Sequence, residues 1–494
     1  MASSNNFLTN SDKVNMKKWR VFLIPYFARS HLIPMTDFAG LLSAKHPDIE
    51  LTMVVTPGNT KFITTSLDKY NDSAKHPMQI LTYPFPSIGL KPDVETVGIG
   101  NSAESSAIDE ASHMARPGLE QLLQQHKPDA VIADVLFPWI TVIAADLKIP
   151  CILFSVFSNF SMLVLDCFQK MRVCPDLLDH VTVLGLPGPE IRMPVLELPS
   201  FALKENCVFS IENIHKSGLD AFGIVVNTCR GVELEYCDEF EKTQARRAYL
   251  VGPVTVSYPM YQHSIIERGG EGEGEGETSC LRWLDTKNER SVVLVSFGSL
   301  CVFKSAQLHE LAMGLEGSRQ NFLWVVRDVD QWDEWIPEGW EERIADRGFI
   351  VRGWAPQLAI LAHAAIGAFV TQCGWNSIQE ATAAGVPMLT WPLAYEQFIN
   401  EKLLVDVIGC AARLWEGGKR STIETENELV PRSVIAHALS RFMEPEGEFS
   451  SVHRKAQELG PVARSAMADG GSSMSDLSRL ISDLITAMEN KTCQ

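Results

Sequence analysis

The side chains most able to do chemistry lie in one segment, from Trp354 to Gln397. Inside it, the apolar run Ile366–Thr371 reads as a strand, a tight turn with Gly374 follows, and a helix opens at Asn376-Ser377. A strand, a glycine turn and a helix N-terminus together form a cradle for a phosphate group, because N–H groups and the positive end of the helix dipole point outward there. Trp354, just after a preceding strand, is placed to stack on a planar base.

The same residues also fit structural roles. Ser377 and Glu380 have the spacing of a capping box, and such a pair at a helix start is most often only a cap. A tryptophan after a strand usually belongs to a core. Each residue alone is therefore weak evidence for a ligand.

Two more candidates lie in the N-terminal half. His31 follows the first predicted strand and opens the first predicted helix, where a polar residue is also common without any function. Asp134 ends the predicted strand Asp129–Asp134. A carboxylate at the carboxyl end of a parallel strand is badly placed for a core and well placed for a ligand cleft.

Alternating strand-like and helix-like segments must position these side chains. The alternation predicts parallel sheets with helices on both faces, and 494 residues are enough for two such domains. We therefore predict an α/β chain of two facing doubly wound, Rossmann-like domains with the active site in the cleft between them. The expected boundaries are residues 1–255, 256–470 and a C-terminal helix over 471–494 that packs back toward the first domain. Residues 268–279 have no core-forming side chains and predict a mobile loop.

Composition excludes several classes of protein. The net charge of −18 makes nucleic acid a poor partner. No stretch approaches the roughly 20 apolar residues of a membrane span. The 11 cysteines form neither a zinc pattern nor a dense disulfide framework, which favours reduced thiols in the cytoplasm.

The segment from Trp354 closely resembles the signature box of plant family 1 UDP-glycosyltransferases. That box is written W-x-P-Q … H-C-G-W-N-S-x-x-E … G-V-P … P … [D/E]-Q, and the chain matches it except at Gln372, where the family has His. The resemblance covers essentially the whole chain. It is closest to the branch that glycosylates flavonoids, other phenolics, terpenoids and steroids, and it implies the GT-B fold.

The resemblance implies a contact with the donor for each matched position. Trp354 is expected to stack on uracil, with the Ala355 backbone at its edge, and Glu380 is expected to accept both ribose hydroxyls. The remaining expected donor residues are Gln357 near the ribose, Ser299, Gln372, Gly374, Asn376 and Ser377 at the diphosphate, and Trp375, Tyr395, Glu396 and Gln397 at the sugar. Trp375 with a final Gln397 accompanies glucose donors in this family, so UDP-glucose is the expected co-substrate. Gln372 keeps a donor but cannot carry the charge of the family's histidine.

The resemblance also implies the reaction. His31, in Ser30-His31-Leu32-Ile33-Pro34, matches the general base of the family, with Ser30 in place of its usual glycine. Asp134 matches the carboxylate that orients this base. Direct displacement on the α-linked donor inverts the anomeric carbon and gives a β-glycoside. No metal is expected, although Asp328-Val329-Asp330 has the spelling of a metal-binding DxD motif from another glycosyltransferase fold.

The sequence carries the least information about the acceptor. A small apolar hydroxylated metabolite is expected in loops such as residues 83–89 and 162–171. Phe137, Phe157, Phe160 and Tyr395 suggest an aromatic or terpenoid-sized pocket but equally fit a core. Another UDP-sugar, a C-glycoside product or a silent metabolite-binding relative remain alternatives, and a monomer is expected.

Overall fold

The computed structural model describes residues 18–71, 76–85, 95–96, 110, 113–171, 178–199, 201, 210–256, 275–298, 303–326 and 332–492. Among the sequence-based predictions, Ser299 and the Asp328-Val329-Asp330 motif lie outside these residues. So do residues 86–89 of the predicted acceptor loops and residues 268–274 of the predicted linker loop.

Residues 18–256 form the N-terminal lobe, which is built on a seven-stranded parallel sheet in the order β3-β2-β1-β4-β5-β8-β9. Its strands are β1 (Trp19–Ile24), β2 (Ile49–Val55), β3 (Gln79–Thr82), β4 (Ala130–Asp134), β5 (Cys151–Ser155), β8 (Gly223–Val226) and β9 (Ala248–Leu250), with a separate antiparallel pair β6 (His180–Val183) and β7 (Ile191–Pro194). Its helices are α1 (Arg29–Lys45), α2 (Thr60–Asn71), α3 (Arg116–His126), α4 (Ile140–Asp146), α5 (Asn159–Met171), α6 (Ile211–Asp220) and α7 (Arg230–Thr243), with 3₁₀ turns at Pro57–Asn59, Val195–Glu197 and Val254–Val256.

Residues 275–466 form the C-terminal lobe, which is built on a six-stranded parallel sheet in the order β12-β11-β10-β13-β14-β15. Its strands are β10 (Val292–Ser296), β11 (Asn321–Val326), β12 (Gly348–Arg352), β13 (Ile366–Thr371), β14 (Met388–Thr390) and β15 (Ala411–Arg413). Its helices are α8 (Glu275–Leu284), α9 (Ser305–Ser318), α10 (Trp332–Trp335), α11 (Trp340–Ile344), α12 (Gln357–Ala362), α13 (Trp375–Ala384), α14 (Gln397–Lys402), α15 (Arg432–Phe442) and α16 (Ser450–Ala466), with a π-helix at Leu403–Ile408 and a 3₁₀ turn at Glu424–Glu426.

In both sheets the strand order is that of a doubly wound fold. From the first strand, the chain adds strands toward one edge of the sheet and then returns to add the others toward the opposite edge. The central strands β4, β5, β10 and β13 are buried along their whole length, as expected for apolar runs covered by helices on both faces. The winding reverses between β1 and β4 in one lobe and between β10 and β13 in the other. Ligands bind at such switch points, so each lobe offers one site at the carboxyl ends of its strands.

The last helix, α17 (Ser472–Thr492), returns to the N-terminal lobe. Tyr249 Oη donates to Asp483 at 2.7 Å, and the Leu250 N–H donates to Asp476 at 2.8 Å. Leu477 and Leu480 of this helix belong to the same core as β1 and β2. The C-terminal helix therefore ties the end of the chain to the first sheet.

One local expectation is wrong. The loop predicted to run to Ser279 ends earlier, because Glu275–Leu284 is a helix whose Cys280 and Leu284 enter a core. The α-helix Gln397–Lys402 continues as the π-helix Leu403–Ile408. Within the described residues, no helix is long and apolar enough to cross a membrane.

Candidate active site

The switch point of the first sheet brings His31 and Asp134 together. His31 lies in the first turn of α1, directly after β1, and Asp134 is the last residue of the neighbouring strand β4. His31 Nδ1 lies 2.8 Å from Asp134 Oδ2, and both residues are buried. The Leu136 N–H donates to the other carboxylate oxygen at 3.0 Å, so the carboxylate is held from both sides. When Nδ1–H donates to Asp134, the remaining nitrogen Nε2 is an acceptor and can take a proton.

Aromatic rings surround the imidazole of His31. Tyr26 and Phe157 each meet it edge to face, with ring centroids 5.5 and 5.7 Å away. Of the other aromatics suggested for an acceptor pocket, Phe137 and Phe160 are fully buried and belong to the core. Tyr395, by contrast, is 38% exposed. The surroundings of His31 are thus apolar, which suits a hydrophobic acceptor.

The phosphate cradle forms at the switch point of the second sheet, but the predicted capping box is wrong. The helix after β13 begins at Trp375, two residues before Ser377, and Gly374 is its N-cap without any side-chain cap bond. Ser377 and Glu380 therefore lie inside the helix. Because no side chain caps α13, its N-terminal end is suited to an anion.

Gln357 fixes the side chains that resemble a ribose site. Its Nε2 donates to Ser377 Oγ at 3.0 Å and to Glu380 Oε2 at 2.9 Å, while its Oε1 accepts from Ser296 Oγ at 3.0 Å. Glu380 is buried under this network. Trp354 lies at the rim with 39% of its surface exposed, beside the buried Ala355. An exposed indole three residues before the glutamine that holds a buried carboxylate fits a nucleoside site.

Three of the four residues expected at the sugar lie where β14 leads into α14: Tyr395 and Glu396 in the loop, and Gln397 as the first residue of the helix. Gln397 Oε1 accepts the N–H groups of Leu393 and Ala394 at 2.9 and 3.0 Å, which fixes the orientation of its amide. Tyr395 has a positive φ of 55°. Glu396 is buried in this loop, and burial raises the pKa of its carboxyl.

Gln372 directly follows the strand β13. Its Oε1 accepts from Thr371 Oγ1 at 3.2 Å. Its Nε2 lies so close to Gly298 that a Cβ there would come within 2.2 Å, and Gly298 has a φ of +63°. A side chain at position 298, which follows β10 at the switch point, would therefore be strained and would displace the Gln372 amide.

Comparisons with known proteins agree with this geometry. The model of the family described as "UDP-glucoronosyl and UDP-glucosyl transferase" matches residues 274–427. The anthocyanin 3'-O-beta-glucosyltransferase of Gentiana triflora is 35% identical, over 96% of this chain and 100% of that protein. The scopoletin glucosyltransferase of Nicotiana tabacum is 34% identical, over 95% and 99%.

The chain belongs to this family.

Solved structures of plant members show the same GT-B fold as this glycosyltransferase. UGT73P12 of Glycyrrhiza uralensis, solved with glycyrrhetinic acid 3-O-monoglucuronide, superimposes with a TM-score of 0.84 at 28% identity, over 96% of this chain and 97% of that one. Phytolacca americana UGT2, solved with UDP-2fluoro-glucose and pterostilbene, gives a TM-score of 0.74 at 28% identity, over 94% and 99%. The predicted fold class, family and enzyme class are therefore confirmed: the chain is a UDP-glycosyltransferase that uses a UDP-sugar and a small-molecule acceptor.

Two contacts across the cleft of the glycosyltransferase were not predicted. Trp375 Nε1 donates to the carbonyl of Asn227 at 2.9 Å, so its indole N–H is already bonded to the N-terminal lobe. Asn376 Nδ2 donates to the carbonyl of Ser30 at 2.6 Å, one residue before His31. One feature of the sequence pointed to these contacts: Asn227 directly follows β8, at the carboxyl edge of the sheet, where residues that face a ligand are common.

Proposed function

We propose that this glycosyltransferase moves glucose from UDP-glucose to a hydroxyl group of a small apolar plant metabolite, a flavonoid or other phenolic or a terpenoid or steroid, and forms a β-glycoside. The observation that carries the proposal is the His31–Asp134 pair at the switch point of the first sheet. Asn376 of the opposite lobe contacts Ser30, the residue before His31. The names of the relatives, glucosyltransferases for anthocyanin and scopoletin among them, support glucose and phenolic acceptors.

In the proposed mechanism, His31 Nε2 removes the acceptor proton as the oxygen attacks the anomeric carbon. Such general base catalysis contributes roughly 10²–10⁴ in rate. Asp134 keeps the proton on Nδ1 before the reaction and stabilises the imidazolium that forms. The charge that develops on the departing UDP is met by the N-terminal end of α13. One displacement inverts the anomeric carbon.

We propose the following contacts between individual residues and the UDP-sugar. Trp354 and the Ala355 backbone would hold uracil, Gln357 and Glu380 the ribose, and Ser299, Gln372, Gly374, Asn376 and Ser377 the diphosphate. Tyr395, Glu396 and Gln397 would hold the sugar. Because the Trp375 indole N–H is bonded to Asn227, we expect Trp375 to reach the sugar through its main chain.

The two lobes have different proposed roles. Residues 1–255 would bind the acceptor and residues 256–470 the donor, with the last helix over 471–494 bracing the first sheet.

The seven described cysteines are all free thiols, which fits a reducing cytoplasm. A monomer that needs no metal stays a prediction, and full activity in EDTA would support the latter.

The experiment is an incubation of the purified enzyme with UDP-glucose and a panel of phenolic and terpenoid acceptors. We expect a product heavier by one hexose, stoichiometric UDP and a β-configured anomeric proton by NMR. The same assay tests two of the alternatives. A panel of UDP-sugars shows whether another donor is preferred, and the acid lability of the product distinguishes an O-glycoside from a C-glycoside. The silent-relative alternative, which the relatives do not favour, predicts no UDP release with any acceptor.

A further inference from the structure

A buried asparagine joins the two sides of the cleft. Asn400 lies in α14, three residues after Gln397, and its side chain is 0% exposed. Its Nδ2 donates to the carbonyl of Cys373 at 2.9 Å. Its Oδ1 faces the opposite lobe and accepts from Ser161 Oγ at 2.7 Å and Ser158 Oγ at 3.1 Å. A carbonyl only accepts hydrogen bonds, so the amide orientation is fixed by Cys373.

The Cys373 end of this bridge is the turn that precedes the proposed diphosphate cradle. Cys373 has a φ of +67°, an unusual conformation for a residue with a side chain, and it directly precedes the N-cap Gly374 of α13. A hydrogen bond to its carbonyl helps to hold that conformation. Asn400 therefore constrains the turn on which the donor diphosphate would rest.

The serine end of the bridge is the first turn of α5 in the N-terminal lobe. Ser158 Oγ accepts the Ser161 N–H at 3.0 Å, as an N-cap does, and the two hydroxyls lie 2.7 Å apart. Phe157, the preceding residue, packs edge to face on the His31 ring at 5.7 Å. The segment that receives Asn400 is thus the one that borders the catalytic base.

We propose that Asn400 is a positioning residue for sugar transfer, which fastens the donor turn to α5 so that the anomeric carbon and His31 keep a fixed separation. The inference rests on the proposed function. Reaction rates depend steeply on such separation, and a displacement of about 1 Å can cost on the order of 100-fold. UDP would lie on the C-terminal lobe alone, so its binding depends less on the bridge.

The test compares Asn400→Ala with the double variant Ser158→Ala/Ser161→Ala, which keeps the bond to Cys373 and removes the arm that crosses the cleft together with the Ser158 cap on the Ser161 N–H. The matched control is Tyr249→Phe. Tyr249 is a fully buried residue of β9 whose hydroxyl donates to Asp483 of α17 at 2.7 Å, so the variant loses a buried hydrogen bond away from Asn400 and α5. For each protein, kcat, the Kd of UDP by calorimetry and the melting temperature are measured.

We expect both bridge variants to lose about tenfold or more in kcat, with a smaller change in the Kd of UDP, while Tyr249→Phe loses melting temperature and keeps its kcat. Full kcat in either bridge variant would overturn the proposal. An equal loss of kcat in Tyr249→Phe would do the same, because it would show a general effect of destabilisation. If wild-type enzyme binds UDP but transfers no sugar, the proposed function fails instead.

Discussion

The side-chain amide of Asn376 and the main-chain carbonyl of Ser30 are 2.6 Å apart, and this hydrogen bond joins the two switch points of the molecule. Ser30 precedes His31, and Asn376 lies in the first turn of α13. His31, the proposed base, and the proposed diphosphate cradle are therefore neighbours in space, although Ser30 and Asn376 are 346 positions apart in the sequence. Both lobes line the proposed catalytic cleft.

Removal of the base should stop transfer without loss of the donor site. We expect His31→Ala to lower kcat for hydroxyl acceptors by roughly 10²–10⁴, because the variant loses Nε2, the proposed acceptor of the proton. The measurement is UDP release with a phenolic acceptor, together with calorimetry of UDP. Asp134→Asn serves as the companion variant, since it keeps the shape but loses the charge that stabilises the imidazolium. Wild-type rates in His31→Ala would remove His31 from the mechanism.

Position 372, where this chain has Gln in place of the family's histidine, should tolerate a change to histidine. We expect Gln372→His to keep or improve the affinity for UDP-glucose, because histidine can donate as Gln does and can also carry charge. Gly298→Ala is the contrasting variant: its Cβ would meet Gln372 Nε2 within 2.2 Å and its φ of +63° disfavours alanine, so donor KM should rise. The account of Gln372 fails if Gln372→His causes a large fall in kcat/KM.

An ion network between the lobes should be a major source of stability. Arg420 donates to Glu401 at 2.6 Å and to Glu197 of the N-terminal lobe at 2.9 Å, and both carboxylates are buried. Arg420→Met leaves the buried Glu197 without its cation, although Glu401 keeps Arg413 at 3.2 Å. Removal of one partner of a buried ion pair typically costs about 3–5 kcal/mol. We expect a clear drop in melting temperature.

Arg432→Met is the control for that experiment, because Arg432 pairs with Glu310 at the surface, where ion pairs contribute little. A melting temperature of Arg420→Met equal to that of Arg432→Met would show that the buried network adds nothing.

One buried carboxyl should make stability depend on pH. Glu233 accepts the N–H groups of Asn159 and Phe160 at the start of α5, and burial raises its pKa from 4.5 to about 7. A raised pKa in the folded state favours the protonated form, so this contribution is complete below about pH 4.5 and is lost as the pH rises to about 7. The full difference corresponds to about 3 kcal/mol.

Denaturation of wild type and Glu233→Gln at several pH values checks this expectation. The stability of wild type relative to the variant should fall between about pH 4.5 and 7 and stay constant above that range. A difference that is independent of pH, or one that grows with pH, would contradict the assignment to Glu233.

Much of the architecture follows from local patterns. The apolar run Ile366–Thr371 forms a strand at the predicted residues, because burial on both faces is encoded locally as a continuous apolar run. The positions of His31 and Asp134 at adjacent strand ends were likewise predictable from parallel winding, which aligns the carboxyl ends of strands.

Other features could not be read from the sequence. The Ser377–Glu380 spacing imitates a capping box, but the glycine turn lets α13 begin at Trp375 and Gln357 takes the hydrogen bonds of both side chains. The contacts of Asn400 across the cleft join residues more than 200 positions apart, and no local pattern specifies such pairs.

The most direct test of the account is calorimetric titration of UDP into wild type and Trp354→Ala. Stacking on an aromatic side chain is worth about 1–3 kcal/mol per base, so we expect saturable binding by wild type and an affinity roughly 5- to 150-fold weaker in the variant. Glu380→Gln should also bind more weakly, because it loses the carboxylate proposed for the ribose. Absence of any heat with wild type at saturating UDP, or equal affinity in Trp354→Ala, would contradict the central claim that this cleft holds a uridine diphosphate sugar.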